Sequence, residues 1–209
     1  MIYILLISII ASYISNNQIY SICDEIKKSK TNTVIIYTVI ILTMISIYLK
    51  YGFTIESIKY LTLIPFIVII SIIDYHTTDI YDITILSGII IQGIIFISTS
   101  NKDLNSASHI SAMIIGLVLA YIISKITKGL GQGDIGLYSL CSFTLGHDYA
   151  IYLVSLSYIL ACIYCIYILF MKSDKIRKIP FAPFISLSTI IIMMTNNDIL
   201  KIYFDIIGN

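Results

Sequence analysis

Asp74 and Asp134 are the residues of this sequence whose type and setting point most directly to chemistry. Asp74 follows the apolar run Leu61–Ile73, and Asp134 follows Gly131-Gln132-Gly133 and leads into Ile135-Gly136-Leu137. Carrying a carboxylate to the centre of a bilayer costs about 2.5–3.5 kcal/mol on insertion scales, so acids placed beside such runs tend to be functional. Two carboxylates held close cannot both ionise cheaply, and such a pair shares one proton. The ionised member can take a proton from water while the other polarises a scissile carbonyl. Gly131 and Gly133 have no side chain, so an extended substrate backbone could approach Asp134 between them. Each residue alone also has a plainer reading. An Asp at a helix end is usually an N-cap or an interfacial charge, and Gly-x-Gly is a common turn. Asp79 and Asp82 fit that plainer reading, with Asp82 as the N-cap of a helix from Ile83. His76, His109 and His147 have no partners at ligand spacing and read as loop residues, although His76 is near enough in sequence to modulate Asp74.

The elements that must position these acids are membrane helices. Apolar residues make up 58 % of the 209 and charged residues only 12 %, about half the charged share of a soluble domain. A net charge of +1 leaves no basic field for nucleic acid. Crossing a bilayer takes about 20 apolar residues, with about 17 as a lower limit. Thr33–Leu49, Ser57–Ile73, Ile83–Ser98, Ser106–Ser124, Tyr149–Phe170 and Pro180–Thr195 are the clear candidates. Met1–Ser15 is shorter; with no basic residues before it and no small-x-small site after it, it reads as a retained helix and not as a signal peptide. Ile135–Gly146 is shorter still, and charge argues that it crosses. With eight crossings, Lys27, Lys28, Lys30, Lys125, Lys128, Lys172, Lys175, Arg177 and Lys178 share one side, and Lys50, Lys59, Lys102 and Lys201 the other. The richer side is expected to be cytoplasmic. Without the short crossing, the clusters at Lys125/Lys128 and Lys172–Lys178 would fall on opposite faces.

The expected fold is therefore all-α: a polytopic transmembrane bundle of about eight segments, one of them a short helix after Gly-x-Gly-Asp. It forms a single integral membrane domain over 1–209, with an N-terminal helix pair in 1–50 and the catalytic core in 57–195. Asn16–Asn32 is the longest loop, its Lys-rich half a topology anchor. Gly88 and Gly93, and Gly116 with Ala112 and Ala120, have the spacing of closely packed helices. Cys162 and Cys165 lie within an apolar run and read as small apolar fillers, and a zinc site there would need two more ligands. The wealth of Ile and Lys hints at AT-rich coding in a bacterium.

Three stretches carry a family resemblance. Asp74-Tyr75-His76-Thr77-Thr78-Asp79-Ile80-Tyr81-Asp82 resembles the first catalytic motif of prepilin leader peptidases, an Asp that ends a membrane helix before an Ile-Pro-Asn-like turn. Gly129-Leu130-Gly131-Gln132-Gly133-Asp134-Ile135-Gly136-Leu137 resembles the second, Gly-x-Gly-Asp followed by Val-Lys-Leu. Ile179-Pro180-Phe181-Ala182-Pro183-Phe184 is similar to the family's Ile-Pro-Phe-Gly-Pro stretch. The three occur in order across about Ser57 to Thr195. Tyr81 and Gly136 depart from the pattern, as Tyr81 replaces a usual Pro and Gly136 a usual Lys. Ala11-Ser12-Tyr13-Ile14 only echoes the family's Gly-Ser-Phe-Leu-Asn stretch, and Cys23 is the single cysteine where relatives carry paired Cys-x-x-Cys zinc motifs.

The resemblance implies Asp74 and Asp134 as the catalytic pair of an intramembrane aspartyl peptidase, with Gly131, Gly133, Pro180, Phe181 and Pro183 contacting substrate. It implies prepilin or pseudopilin precursors as partners, each with a short basic leader, a Gly before the cleaved bond and a following apolar helix. Location in the bacterial plasma membrane follows from the same resemblance. Peptide cleavage needs no cofactor and no metal. S-adenosylmethionine enters only if the family's second activity, N-methylation of the product, is retained. Other readings are a presenilin-like or signal-peptide-peptidase-like protease, a small proton- or cation-coupled transporter using the same two acids, and a structural membrane scaffold.

Overall fold

Backbone N–H and C=O groups in hydrocarbon find no water to bond, so a chain this apolar must satisfy them within helices. A computed structural model shows that it does. The structure describes residues 2–23, 26, 28–99, 106–170 and 179–195. Among them run eight helices: α1 (Ile2–Ile22), α2 (Lys30–Tyr51), α3 (Ile55–Thr77), α4 (Asp82–Thr99), α5 (Ser106–Thr127), α6 (Gln132–Leu145), α7 (His147–Phe170) and α8 (Ala182–Thr195). Six are long and apolar enough to cross a membrane, while α6 and α8 have 14 residues each.

The helices overrun most of the apolar stretches that announce them. α1 continues through Asn16, Asn17 and Gln18 to Ile22, ground that hydropathy assigns to a loop. Its buried residues Ser8, Ser12, Ser15 and Ile19 lie on one face, and that packed stripe continues the helix where apolar content fails. α3 runs on through Asp74 to Thr77. Thr78, in the left-handed region (φ 56°), stops it by returning its N–H to Asp74 O at 2.8 Å.

Alternation of direction can be followed from contacts. Ser124 Oγ donates to Leu130 O at 2.9 Å just before α6, and Gly146, just after α6, lies beside Ser108 and His109. α6 thus runs back antiparallel along α5 from Ser124 to Ser108, a rise of about 24 Å. The turn into α7 is Gly146 alone, whose φ of 99° suits glycine. At the Asp74 end lie the starts of α2, α4, α6 and α8. At the other end Tyr51 Oη donates to Met193 O at 2.7 Å, joining the ends of α2 and α8. Lys28, Lys30, Lys125 and Lys128 fall at the Asp74 end and Lys50 and Lys59 at the other, as the charge pattern requires. The expected cluster Lys172–Lys178, together with Lys27, Lys102 and Lys201, lies outside the described residues.

Apolar burial drives little association between helices in lipid, so close approach has to do it. Gly116 on α5 supplies it: a Cβ there would lie 2.8 Å from Ser142 Cβ and 3.0 Å from Tyr138 O on α6. Ala112 and Ala120 are fully buried on either side. Gly88 on α4 likewise leaves room for Leu140 of α6. Gly93 does not belong to this set, because none of the described residues lies within 4 Å of its missing Cβ. Cys162 is exposed and Cys165 partly so, which puts both on the outer face of α7 and not among packed side chains. The three histidines are helical too. His76 ends α3, His147 begins α7, and His109 is buried in α5 through partners distant in sequence. Two elements are central: α3, half buried along its span and touching α1, α2, α4, α6 and α8, and α6, with ten of its 14 residues buried and touching α3, α4, α5, α7 and α8.

Candidate active site

Asp74 occupies the last turn of α3 and Asp134 the first turn of α6, both at the same end of the bundle. Both are buried, at 4 % and 7 % exposure, and each carboxyl lies within electrostatic range of the other. The 59 residues between them leave by α4 and return by α5, which brings the two acids to one level.

Each carboxyl is held by backbone N–H groups at a helix start. Asp134 is the third residue of α6, and its Oδ2 reaches back to accept from Gly131 N–H at 3.0 Å, one half of a capping box. Its Oδ1 is buried and has no hydrogen-bond partner among the described residues. Asp74 Oδ2 accepts from Ala182 N–H, the first residue of α8, at 2.9 Å, and Phe181 N–H also bears on this carboxyl. Asp74 therefore caps α8 from another helix. Asp79 is exposed and within electrostatic range of Asp74, and Asp82 starts α4.

The glycines differ in surroundings. Gly131 is exposed, and a Cβ on it would meet only Asp134 Oδ2, at 3.2 Å. At Gly133 the corresponding space is held by Ile80, whose Cβ would be 2.5 Å away, so the turn after α3 rests on the start of α6. Gly136 makes room for Ile85 of α4 in the same way, at 2.9 Å. Pro180 and Pro183 flank the residues whose N–H groups face Asp74. Pro183 also lines a cavity of about 340 Å³ with Asn32 and Ile35 of α2 and Ser71, Tyr75 and His76 of α3. His76 Nε2 lies 3.2 Å from Asn32 Nδ2 at its mouth.

Phe181 packs on Tyr158 and Tyr138, with ring centroids 5.0 and 6.5 Å away. Tyr138 is fully buried one turn beyond Asp134, and its hydroxyl bonds Ser157 of α7. Both tyrosines lie within electrostatic range of Asp134. Sequence reasoning missed Tyr138, Tyr158, Ile80 and Ala182. Only Tyr138 offered a signal, the four-residue spacing from Asp134 that stacks two side chains on one helical face. The described residues hold no group of three or more His, Cys, Asp or Glu suited to a metal ion.

A buried pair of carboxyls at a helix-rich membrane level can share a proton and activate water. A family model described as the type IV leader peptidase family matches residues 61–166, just over half the chain, including both acids and the Gly-x-Gly turn. No curated protein and no solved structure matches the chain.

Proposed function

Because the chain belongs to the type IV leader peptidase family, we propose that this peptidase is an intramembrane aspartyl endopeptidase acting through Asp74 and Asp134. It removes the basic leader from prepilin-like or pseudopilin precursors at the cytoplasmic face of a bacterial plasma membrane. The observation that carries this reading is two buried carboxyls at one end of the bundle, within electrostatic range of each other, one with an oxygen to which no described residue donates.

In this reading one carboxyl takes a proton from water and the other gives its proton to the scissile carbonyl oxygen. The water oxygen adds to the carbonyl carbon, and collapse of the diol breaks the C–N bond. Gly131, exposed beside Asp134, is the approach for an extended substrate backbone. At Gly133 the side-chain-free space is taken by Ile80, so a substrate would meet this residue through its backbone alone. Pro180, Phe181 and Pro183 contact the substrate from the α8 side, where the cavity beside Pro183 has room for apolar side chains. The basic face defined by Lys28, Lys30, Lys125 and Lys128 is cytoplasmic by the positive-inside rule. Cleavage uses no cofactor, and S-adenosylmethionine serves only a retained N-methylation.

Co-expression with a precursor bearing a Lys-rich leader, a Gly and an apolar helix, followed by intact-mass analysis, tests the proposal. Loss of the leader mass after that Gly, dependent on this protein, is the expected result. A precursor left at full mass beside correctly inserted protein would refute it.

A further inference from the structure

We propose that the two carboxyls have fixed and unequal roles, set by what donates to them: Asp74, seated on the N-terminus of α8, is the base, and Asp134 carries the shared proton on Oδ1. This assignment rests on the aspartyl reading above and goes beyond it by naming which acid does what.

The first N–H groups of a helix have no partner within it. In α8 the N–H groups of Phe184 and Ile185 turn to Phe181 O, at 3.0 and 3.3 Å, and Pro183 has none. Ala182 N–H is left over, and it points at Asp74 Oδ2. Phe181 N–H adds to it. N–H groups can only donate, so they favour the charged carboxylate over the acid. The positive end of the α8 dipole favours the same form, but Asp134 lies likewise in the first turn of α6, so the dipoles do not separate the two acids.

Asp134 is served differently. One N–H, that of Gly131, satisfies Oδ2, and Oδ1 is buried with no described residue donating to it. A bare carboxylate oxygen in that position is costly. Once protonated, Oδ1 becomes a donor, and Asp74, within electrostatic range, is the carboxylate with which the proton can be shared. Asp74 then takes a proton from water while Asp134 gives its own to the carbonyl oxygen. As the C–N bond breaks, Asp74 returns its proton to the departing nitrogen, and Asp134 recovers one from a diol hydroxyl. Ala182 is accordingly a positioning residue for the base. This role explains why a turn more than a hundred residues from Asp74 in sequence meets it.

Two proline substitutions separate the roles. Ala182→Pro removes the N–H that serves Asp74, at the first helical position, where proline is well tolerated. Gly131→Pro removes the N–H that serves Asp134, at a backbone φ of −69° that proline itself adopts. Cleavage of a synthetic peptide with a Lys-rich leader, a Gly and an apolar stretch is followed across pH in lipid vesicles. Ala182→Pro should move the acidic limb of the profile to higher pH by about one unit, the worth of one hydrogen bond, leaving the basic limb in place. Gly131→Pro should instead move the basic limb to higher pH. Exchanged limbs, or limbs that stay put in both variants, would overturn the assignment. If Ala182→Pro does not insert, Gly131→Pro decides alone, because a shift of its acidic limb reverses the roles. Normal cleavage by Asp74→Asn or Asp134→Asn would instead bring down the aspartyl reading itself.

Discussion

Lys59 Nζ lies 3.4 Å from His109 Nε2, and both side chains are buried at the end of the bundle opposite Asp74 and Asp134. His109 Nδ1 is 2.8 Å from Phe143 O. A carbonyl only accepts, so Nδ1 carries the ring proton and Nε2 is free to accept from the ammonium. One imidazole thus ties α3, α5 and α6 together. Gln92 Nε2 brings in α4, donating to Lys59 O at 3.0 Å. His109→Ala would strand a buried ammonium and should cost about 3 kcal/mol, the low end for a broken buried partner, since Glu56 still offers electrostatic relief. Lys59→Met leaves His109 its bond to Phe143 O and should cost clearly less. Thermal unfolding in one detergent compares them, and equal losses would break the account.

Asp74→Asn and Asp134→Asn should each lower cleavage by at least about 100-fold while leaving insertion intact, because a neutral amide cannot join in sharing a proton. Asp79→Asn and Asp82→Asn should change the rate only a few-fold, both residues being exposed. Rates on the same peptide, with membrane insertion checked for each variant, give the answer. Near-normal rates in either of the first two variants would remove that Asp from the reaction.

Gly116→Ala should destabilise by about 1–3 kcal/mol, because its Cβ meets Ser142 and the Tyr138 carbonyl on a neighbouring helix. Ser142→Gly should recover part of that loss by clearing one of the two obstacles. Gly93→Ala, with open space around it, should be neutral or gain up to about 1 kcal/mol in helix propensity. Unfolding temperatures rank the three, and a Gly93 variant as damaged as the Gly116 variant would contradict the packing described.

Single cysteines placed at Lys28 and Lys128 in a cysteine-free background should react with an impermeant thiol reagent from the cytoplasmic face alone. One placed at Asp148, next to the α6–α7 turn, should react only from the opposite face. Labelling of Lys128 and Asp148 from the same face would mean that α6 does not cross.

Much of this architecture is legible in the residues themselves. Apolar runs announce the spans, charge asymmetry sorts their ends, and Gly-x-Gly-Asp marks the start of α6. Hydropathy does not report where a helix stops, which is why α1 extends beyond Ser15 on packing and α3 beyond Ile73 until Thr78. The supports of the acids were the least visible. Ala182 acts through a backbone N–H, which every residue but proline possesses, so no letter in the sequence distinguishes it. His109 owes its place inside α5 to Lys59 and Phe143, neither near it in sequence, and an isolated histidine gives no warning of such partners.

The shortness of α6 has a consequence for the solvent. Fourteen residues rise about 21 Å, whereas the hydrocarbon of an ordinary bilayer is about 30 Å thick. Ten of the fourteen residues of α6 are buried against neighbouring helices, so protein and not lipid surrounds it. Gly131 and Gln132 at its start are exposed, and a helix too short for the bilayer leaves the space above them unfilled. Hydrolysis inside a membrane depends on a supply of water, and that unfilled space is where water meets the start of α6.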